Sequence, residues 1–149
     1  MIAVDPGTTH SGLVIYSPDG SVMASLVLEN AEVIGELNAH PHLPVAIEMI
    51  ASYGMAVGKE VFETCVWIGR FVQVAGVDRV RLVYRKDVKM HLCGSPRAKD
   101  ANIRQALIDR YGGKALAIGT KKQPGALYHV KSHAWAALAV AVTASETAP

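Results

Sequence analysis

A hairpin at the start of the chain constrains the fold more than any other stretch. Residues 1–16 run from an apolar segment into Asp5, through a Pro6-Gly7 turn with small polar residues, and into a second apolar segment. Pro6 fixes its own φ and Gly7 can take a positive φ, so the chain reverses directly after Asp5. The pattern predicts two antiparallel strands with a carboxylate at the tip of the first, suited to holding a metal ion or a phosphate. The alternative is an Asp5 that only caps its own turn.

The length and composition predict one globular domain over residues 1–149. A chain of 149 residues is long enough for one core and too short for two lobes of ordinary size. No apolar run approaches the roughly 18 residues of a membrane span, and the first residues show no leader pattern. Cys65 and Cys93 have neither metal-ligand nor disulfide-framework spacing. We expect both to be reduced thiols in a cytoplasmic protein.

The order of the predicted elements favours a mixed α/β sheet. Strands are predicted at about residues 2–5, 12–16, 22–28, 45–50 and 81–84, and helices at about residues 31–39, 58–75, 102–111 and 132–144. The first three strands form an antiparallel meander, and the apolar run at 45–50 is typical of a strand buried on both faces. The pattern therefore predicts five strands, antiparallel and then parallel, flanked by helices, with basic connections after the fifth strand.

Glu48 is the decisive polar residue because it interrupts the apolar run at 45–50. An ionised carboxylate buried there is strongly disfavoured unless it is paired or bound to metal. With Asp5 it would form an all-oxygen site at the ends of neighbouring strands, and such sites suit Mg²⁺ or Mn²⁺. Two ions about 3.5–4 Å apart would clamp the attacking and leaving oxygens of a phosphodiester. The alternative is a Glu48 that faces solvent or pairs with an arginine.

The Ala-rich last helix carries a single titratable side chain in its first turns, His133. From there it would point at the two carboxylates as a metal ligand or as the base that activates water. The alternative is a histidine that caps the helix end. The other histidines show no mutual ligand spacing, and we interpret them as loop or surface residues: His10, His40, His42, His91 and His129.

Three blocks of this sequence resemble the motif blocks of RuvC-type Holliday junction resolvases, in the same order. They are residues 2–7 with Gly12, residues 46–48, and residues 133–141. The resemblance spans nearly the whole chain and looks closest to the compact phage-encoded branch. It implies a ribonuclease H-like fold, a homodimer, and Mg²⁺-dependent cutting of four-way DNA junctions. The family's first Asp and its Glu fall on Asp5 and Glu48, and the residue that begins its last motif falls on His133.

The chain departs from the family pattern at Ala136, where many RuvC-type enzymes have a second Asp. The departure leaves three possibilities: three ligands are enough, Asp100 supplies the missing carboxylate, or the chain is inactive. Asp100 also suits the N-cap position of the helix that follows it. We favour the cap for Asp100.

Cations concentrate in the second half of the chain, whereas the first half is acidic. This asymmetry predicts a surface that follows the DNA backbone beside the site, with a solvated charged face as the alternative. The cations assigned to it are Arg85, Lys86, Lys89, Arg97, Lys99, Arg104, Lys121, Lys122 and Lys131. Tyr53 and Phe62 would stack on or wedge between bases, although core packing is an alternative for Phe62.

The long helix at 58–75 has an apolar stripe and a second, outer side. Helical spacing predicts that the stripe faces the sheet, through Val61, Cys65, Ile68, Val72 and Ala75. The dimer implied by the family resemblance would then form through the outer side, with Phe62, Gly69 and Phe71.

Two other functions compete with the nuclease. Residues 5–9 also resemble the first phosphate hairpin of actin/Hsp70-like ATPases, but the chain has no second lobe and no second Asp-x-Gly hairpin, so we expect no nucleotide cofactor. A junction-binding module without catalysis is the other rival, for which Ala136 is the evidence. We predict a Mg²⁺- or Mn²⁺-dependent endodeoxyribonuclease that cuts four-way junctions by paired nicks, and roles in repair stay open.

Overall fold

A mixed five-stranded sheet, in the order β3-β2-β1-β4-β5, forms the centre of the computed structural model, which describes residues 1–149. The strands are β1 (Ile2–Asp5), β2 (His10–Tyr16), β3 (Val22–Glu29), β4 (Val45–Met49) and β5 (Val80–Tyr84). The first three pair antiparallel, and β1, β4 and β5 pair parallel. The predicted α/β sheet, an antiparallel meander followed by parallel strands, is confirmed.

Six helices flank the sheet. They are α1 (Asn30–Ala39), α2 (Lys59–Ala75), α3 (Arg85–Cys93), α4 (Asp100–Arg110), α5 (Lys114–Ala117) and α6 (Ala134–Glu146), with a 3₁₀ turn at Val77–Arg79. The expectation of a basic connection without secondary structure between β5 and the helix at 102–111 is wrong, because α3 lies there. This helix is short and mostly polar, and Val88 is its one fully buried residue, so it leaves no apolar periodicity in the sequence.

Each face of the sheet is covered by its own set of helices. Side chains alternate between the two faces along a strand. In β1, Ile2 and Val4 therefore pack in the cluster that contains α1 and α2, whereas Ala3 packs in the cluster that contains α3, α4 and α6. Asp5 lies two residues after Ala3 on the same strand, so its side chain is on the face of the sheet that α6 covers.

Helix α6 is buried all round because it lies between the sheet and the helices α3 and α4. A run of eight consecutive residues from Ala137 to Ala144 contains no charge, and the run from Ala137 to Thr143 is fully buried. Small side chains let its backbone approach β1 and β2 closely. The helix begins at Ala134 with His133 as its N-cap residue, two residues later than predicted.

The buried face of α2 differs from the predicted stripe. Its fully buried residues are Thr64, Ile68, Phe71 and Ala75. Thr64 can be buried because its hydroxyl donates to the carbonyl of Glu60 at 2.8 Å. The buried face of α2 is therefore shifted by about one residue from the predicted stripe, and this shift places the bulky Phe71 ring in the core.

This rotation corrects two predictions about the outer side of α2. Phe71 is fully buried, so its assignment to a dimer contact is wrong. Phe62 is 63% exposed and Val66 is 57% exposed, which rules out core packing for Phe62.

No helix in the fold has the length and apolar character that crossing a membrane requires. Cys65 and Cys93 are both free, half-buried thiols.

Candidate active site

Asp5 and Glu48 lie side by side at the carboxyl ends of two neighbouring parallel strands. Val4 of β1 is opposite Ile47 of β4, and the next residue on each strand is the carboxylate. Both side chains are largely buried, with 15% of Asp5 and 11% of Glu48 exposed. The sheet thus gathers two acidic groups on its α6 face.

A buried hydrogen-bond network fixes the turn that follows Asp5. The Ser11 hydroxyl donates to Asn30 Oδ1 at 2.6 Å, Asn30 Nδ2 donates to the carbonyl of Gly7 at 3.0 Å, and the Gly7 amide donates to Ser11 Oγ at 3.2 Å. The expected positive φ at Gly7 is wrong, since it is absent from the positive-φ residues. Gly7 is needed for a close approach instead, because a Cβ there would lie 2.2 Å from the carbonyl oxygen of His10.

His133 reaches Asp5 from the N-cap position of α6. Its Nδ1 lies 3.2 Å from Asp5 Oδ2, and its ring makes no capping hydrogen bond. Asp5 therefore bonds to His133 and not within its own turn. The approach is possible because Gly12, opposite Asp5 in the β1–β2 ladder, has no side chain. A Cβ on Gly12 would lie 2.2 Å from the carbonyl oxygen of His133.

Gly12→Ala is expected to destabilise the protein by at least about 1–3 kcal/mol, because the methyl group would collide with the His133 backbone. Gly69→Ala is the matched control: a Cβ there meets nothing within 4 Å in the middle of α2, so it should stabilise by about 0.5–1 kcal/mol. Urea unfolding of the two variants measures both effects. A Gly12→Ala protein as stable as wild type would show that the approach of His133 to β2 is not tight.

The two carboxylates and His133 open into one cavity of about 430 Å³, the carboxylate cavity. Its lining is Asp5, Glu48, Arg85, Asp100, Ile103, Arg104, Ser132, His133, Trp135 and Ala136. The predicted trio is thus brought together at one site. Ala136, where the sequence resemblance would place a second Asp, lines the same cavity, and its methyl group cannot bind a metal.

Arg85 lies between two of the acidic groups. Its Nη1 is 3.4 Å from Glu48 Oε2, and its Nη2 bonds to Asp100 Oδ1. The alternative in which Glu48 pairs with an arginine is therefore realised in part, while the solvent-facing alternative is wrong because Glu48 is buried. A single loose contact leaves most of the acceptor capacity of Glu48 unused.

Asp100 does not cap α4, contrary to the sequence interpretation. Lys99 is the N-cap residue, and its amide donates to the side chain of Asn102 at 2.9 Å. Asp100 is the first helical residue, with 87% of its side chain exposed and with Arg85 as its partner. Its carboxylate therefore faces the cavity and is free of the backbone.

Burial raises the pKa of both inner carboxyl groups. For Asp5 the effect is opposed by the nearby His133 and Arg85. For Glu48, burial and then the charge of Asp5 raise the pKa to about 7, against Arg85 and Lys89, which lower it. Two buried acidic groups side by side, one of which has its pKa raised by the charge of the other, are typical of a site that takes up a cation.

The donor set of the cavity fits a hard divalent cation. The innermost oxygens of the cavity belong to Asp5 and Glu48, and carboxylate oxygens are the donors that Mg²⁺ and Mn²⁺ prefer. No three acidic, histidine or cysteine side chains converge tightly enough to form a complete cage. The residues present therefore suit an ion that takes several of its ligands from water and from substrate oxygens, as Mg²⁺ commonly does.

The predicted DNA contacts divide into three groups by position. Tyr53, Arg85, Lys86 and Lys89 surround a hollow of about 450 Å³ that shares Glu48 with the carboxylate cavity. Arg104 and Lys131 line a groove on the side of Asp100. The remaining predicted residues are exposed but line none of these three depressions: Phe62, Arg97, Lys99, Lys121 and Lys122.

Sequence reasoning missed Ser132 and Trp135 as residues of the site. Ser132 and Tyr53 are the two non-glycine residues with positive φ, each at 49°, and each lies beside a cavity that contains Glu48 or Asp5. Such conformations are sparsely populated and concentrate at functional sites. Trp135 could have been singled out from the sequence, because it is the one aromatic residue in the Ala-rich helix α6.

Two solved structures of RuvC from Thermus thermophilus are similar to this chain, one of them in complex with a Holliday junction substrate. Each is 21% identical, covers 95% of this chain and 90% of its own, and has a TM-score of 0.64. No protein-family model matches the chain, and no curated protein matches its sequence. The likeness confirms the ribonuclease H-like fold and, at the level of the fold, the resemblance to RuvC-type resolvases. The compact phage-like branch stays a prediction.

Proposed function

We propose that this chain is a divalent-metal-dependent endonuclease that cuts four-way DNA junctions by paired nicks. The observation that carries the proposal is the side-by-side placement of Asp5 and Glu48 in an open cavity. Burial and mutual repulsion disfavour this pair of charges, and a divalent cation would relieve both. The similar structure with a Holliday junction substrate supports the class of substrate.

The metal would be Mg²⁺ or Mn²⁺, held by Asp5 and Glu48. Bound there, it would supply Lewis-acid polarisation of the scissile phosphate and a more acidic water. Asp100, at the rim of the same cavity, is the carboxylate available in place of the one missing at Ala136. Its use would require Arg85 to release it, because Arg85 is its present partner.

His133 would act as the base. Nδ1 is engaged with Asp5, so the proton on that nitrogen is donated to the carboxylate and Nε2 is left as the acceptor. Nε2 would take the proton of the attacking water while the bond from phosphorus to the 3′ oxygen breaks, and the 3′ oxygen would take up a proton from solvent water as it leaves. In-line attack of this kind leaves a 5′-phosphate and a 3′-hydroxyl. If His133 were instead a metal ligand, which is its other predicted role, Nε2 would be the nitrogen that binds the metal.

His133→Ala is expected to lower the cleavage rate by about 10²-fold, which is typical of losing a general base. Added imidazole should restore part of the rate if His133 is the base, whereas a weaker apparent affinity for metal would point to a ligand. His129→Ala, an exposed histidine outside the cavity, serves as the control and should cut normally. An unchanged rate in His133→Ala would assign the residue a structural role.

A homodimer would supply one carboxylate cavity for each of the paired nicks. The exposed apolar side chains of α2 support this, because Phe62 and Val66 lie four residues apart on one face with Gly69. Adjacent apolar residues at the surface of a helix favour association with a partner. The exposure of Phe62 in the single chain fits either this contact or the predicted wedge between bases, and burial of the whole ring against a partner would exclude the wedge.

The test is cleavage of a synthetic four-way junction, with a linear duplex of the same arm sequence as the control. The proposal predicts paired nicks in the junction with Mg²⁺ or Mn²⁺, none in EDTA, and little cutting of the duplex. The rival function, a junction-binding module without catalysis, is favoured by Ala136 and by the Arg85–Glu48 contact. A gel shift without cleavage at any metal concentration would select the rival.

A further inference from the structure

The groove on the side of Asp100 adjoins the carboxylate cavity, and the reaction proposed above does not use it. This Arg104 groove, of about 520 Å³, has a lining that includes Asp100, Ala101, Arg104, Lys131, Ser132 and Trp135. Four of these residues also line the carboxylate cavity, so the two depressions are continuous. A DNA strand with its scissile phosphate over Asp5 and Glu48 would extend into the Arg104 groove.

The guanidinium of Arg104 is held against an aromatic ring. Its Cζ lies 4.8 Å from the centroid of the Trp135 ring, in a cation–π contact. None of the ion pairs of the chain involves Arg104 or Lys131. The ring therefore fixes the position of the guanidinium without occupying its N–H donors.

The charges of the groove favour an anion. Its one acidic residue, Asp100, is paired with Arg85, which offsets the repulsion that the carboxylate would exert on a phosphate. Arg104 and Lys131 add two uncompensated cations. A guanidinium with one face covered keeps its planar fork of donors, which matches two oxygens of a phosphate.

We propose that Arg104 binds a DNA backbone phosphate that flanks the scissile one, and that Trp135 is a positioning residue which holds Arg104 for that contact. The inference rests on the proposed function, because it takes DNA in the carboxylate cavity as given. It assigns to Trp135 a role in DNA binding through another residue, without a direct contact to a base.

The chain contains a matched control for this arrangement. Arg70 stacks on Trp67 with its Cζ 4.6 Å from the ring centroid. That pair belongs to α2, on the opposite face of the sheet, and lines none of the depressions described. The same chemistry is therefore present once beside the site and once away from it.

The experiment measures the affinity of the full chain for a four-way junction, by fluorescence anisotropy in EDTA at several salt concentrations. Arg104→Ala should weaken binding about 5- to 30-fold and reduce the slope of log K against log salt by about 0.9, as expected for one lost phosphate contact. Trp135→Leu should lower the affinity in the same direction, and Trp135→Phe should restore it, since phenylalanine keeps an aromatic face. Arg70→Ala should match wild type.

A second readout applies if Trp135→Leu does not fold. In a Trp67→Phe chain, Trp135 is the sole tryptophan, and its emission should change when the junction binds. That change should be absent from the same chain carrying Arg104→Ala at equal saturation.

The outcomes separate this inference from the proposed function. If the chain binds and cuts junctions but Arg104→Ala keeps the wild-type salt slope, the groove assignment is overturned alone. If Arg104→Ala lowers the slope but Trp135→Leu does not change the affinity, the positioning role of Trp135 is overturned. If the salt slope of Arg104→Ala and the affinity of Trp135→Leu change as expected but the wild-type chain never cuts DNA, the phosphate contact of Arg104 is supported and the nuclease proposal fails.

Discussion

Replacing Asp5 with asparagine is expected to lower the rate of junction cleavage by about 10³-fold or more, while junction affinity stays within a few-fold of wild type. Asparagine has nearly the same shape but no charge. It would remove one of the two inner anions and replace the charged acceptor of the bond with His133 Nδ1 by a neutral amide. Binding should persist, because none of the cations proposed to contact phosphates forms an ion pair with Asp5.

Asp19→Asn is the matched control for Asp5→Asn. Asp19 also lies in a turn that contains a glycine, and it accepts a hydrogen bond from the Ser21 amide at 2.9 Å. It lies outside the carboxylate cavity, so its loss should leave cleavage unchanged. Single-turnover cleavage and gel-shift assays on one junction measure both properties. Near wild-type cleavage by Asp5→Asn would remove Asp5 from the site.

Glu48→Gln is expected to abolish cleavage and at the same time to stabilise the metal-free protein at high pH. In the folded chain the pKa of Glu48 is about 7, compared with an ordinary value of 4.5. Between these two values the folded state keeps a proton that the unfolded chain has lost. The free energy of unfolding therefore falls as the pH rises through this range.

The magnitude of this effect follows from the size of the pKa shift. Its full cost to the wild type, reached above pH 7, is up to about 3 kcal/mol. Urea unfolding in EDTA should show the variant more stable than wild type at pH 8.5, with the difference vanishing near pH 4.5. Glu60→Gln, at an exposed glutamate in the first turn of α2, should change stability by no more than about 0.5 kcal/mol at either pH.

A Glu48→Gln protein that is less stable than wild type at pH 8.5 would contradict this account. It would mean that the contact with Arg85 outweighs the burial of the charge, and that Glu48 is a structural ion-pair residue. If the variant is stabilised but still cuts junctions, the cost of burying the Glu48 charge is as described, and Glu48 takes no part in the reaction.

The sheet was predictable because its strands follow simple patterns. The apolar runs of β2 and β4 each specify a strand, and the shared edge of parallel strands places Asp5 beside Glu48. The buried faces of the helices were harder to predict from the sequence. Burial of Phe71 was decided by the space between α2 and the sheet, and helical spacing in the sequence cannot report the size of that space.

The trio of Asp5, Glu48 and His133 was recognisable from the sequence, but the setting of these residues was not. The contact of Arg85 with Glu48 and Asp100 depends on α3, a helix without apolar periodicity. The stacking of Arg104 on Trp135 depends on how α4 crosses the start of α6. Such contacts arise from the packing of distant segments, so single-sequence patterns do not contain them.

A crystal structure of the chain grown with Mn²⁺ would test the central claim most directly, because the anomalous signal locates the ion without assumptions. The account predicts a peak in direct coordination with carboxylate oxygens of both Asp5 and Glu48, and its loss in Asp5→Asn crystals prepared in the same way. An empty carboxylate cavity at saturating Mn²⁺, with Glu48 still held by Arg85 and Asp5 by His133, would contradict it.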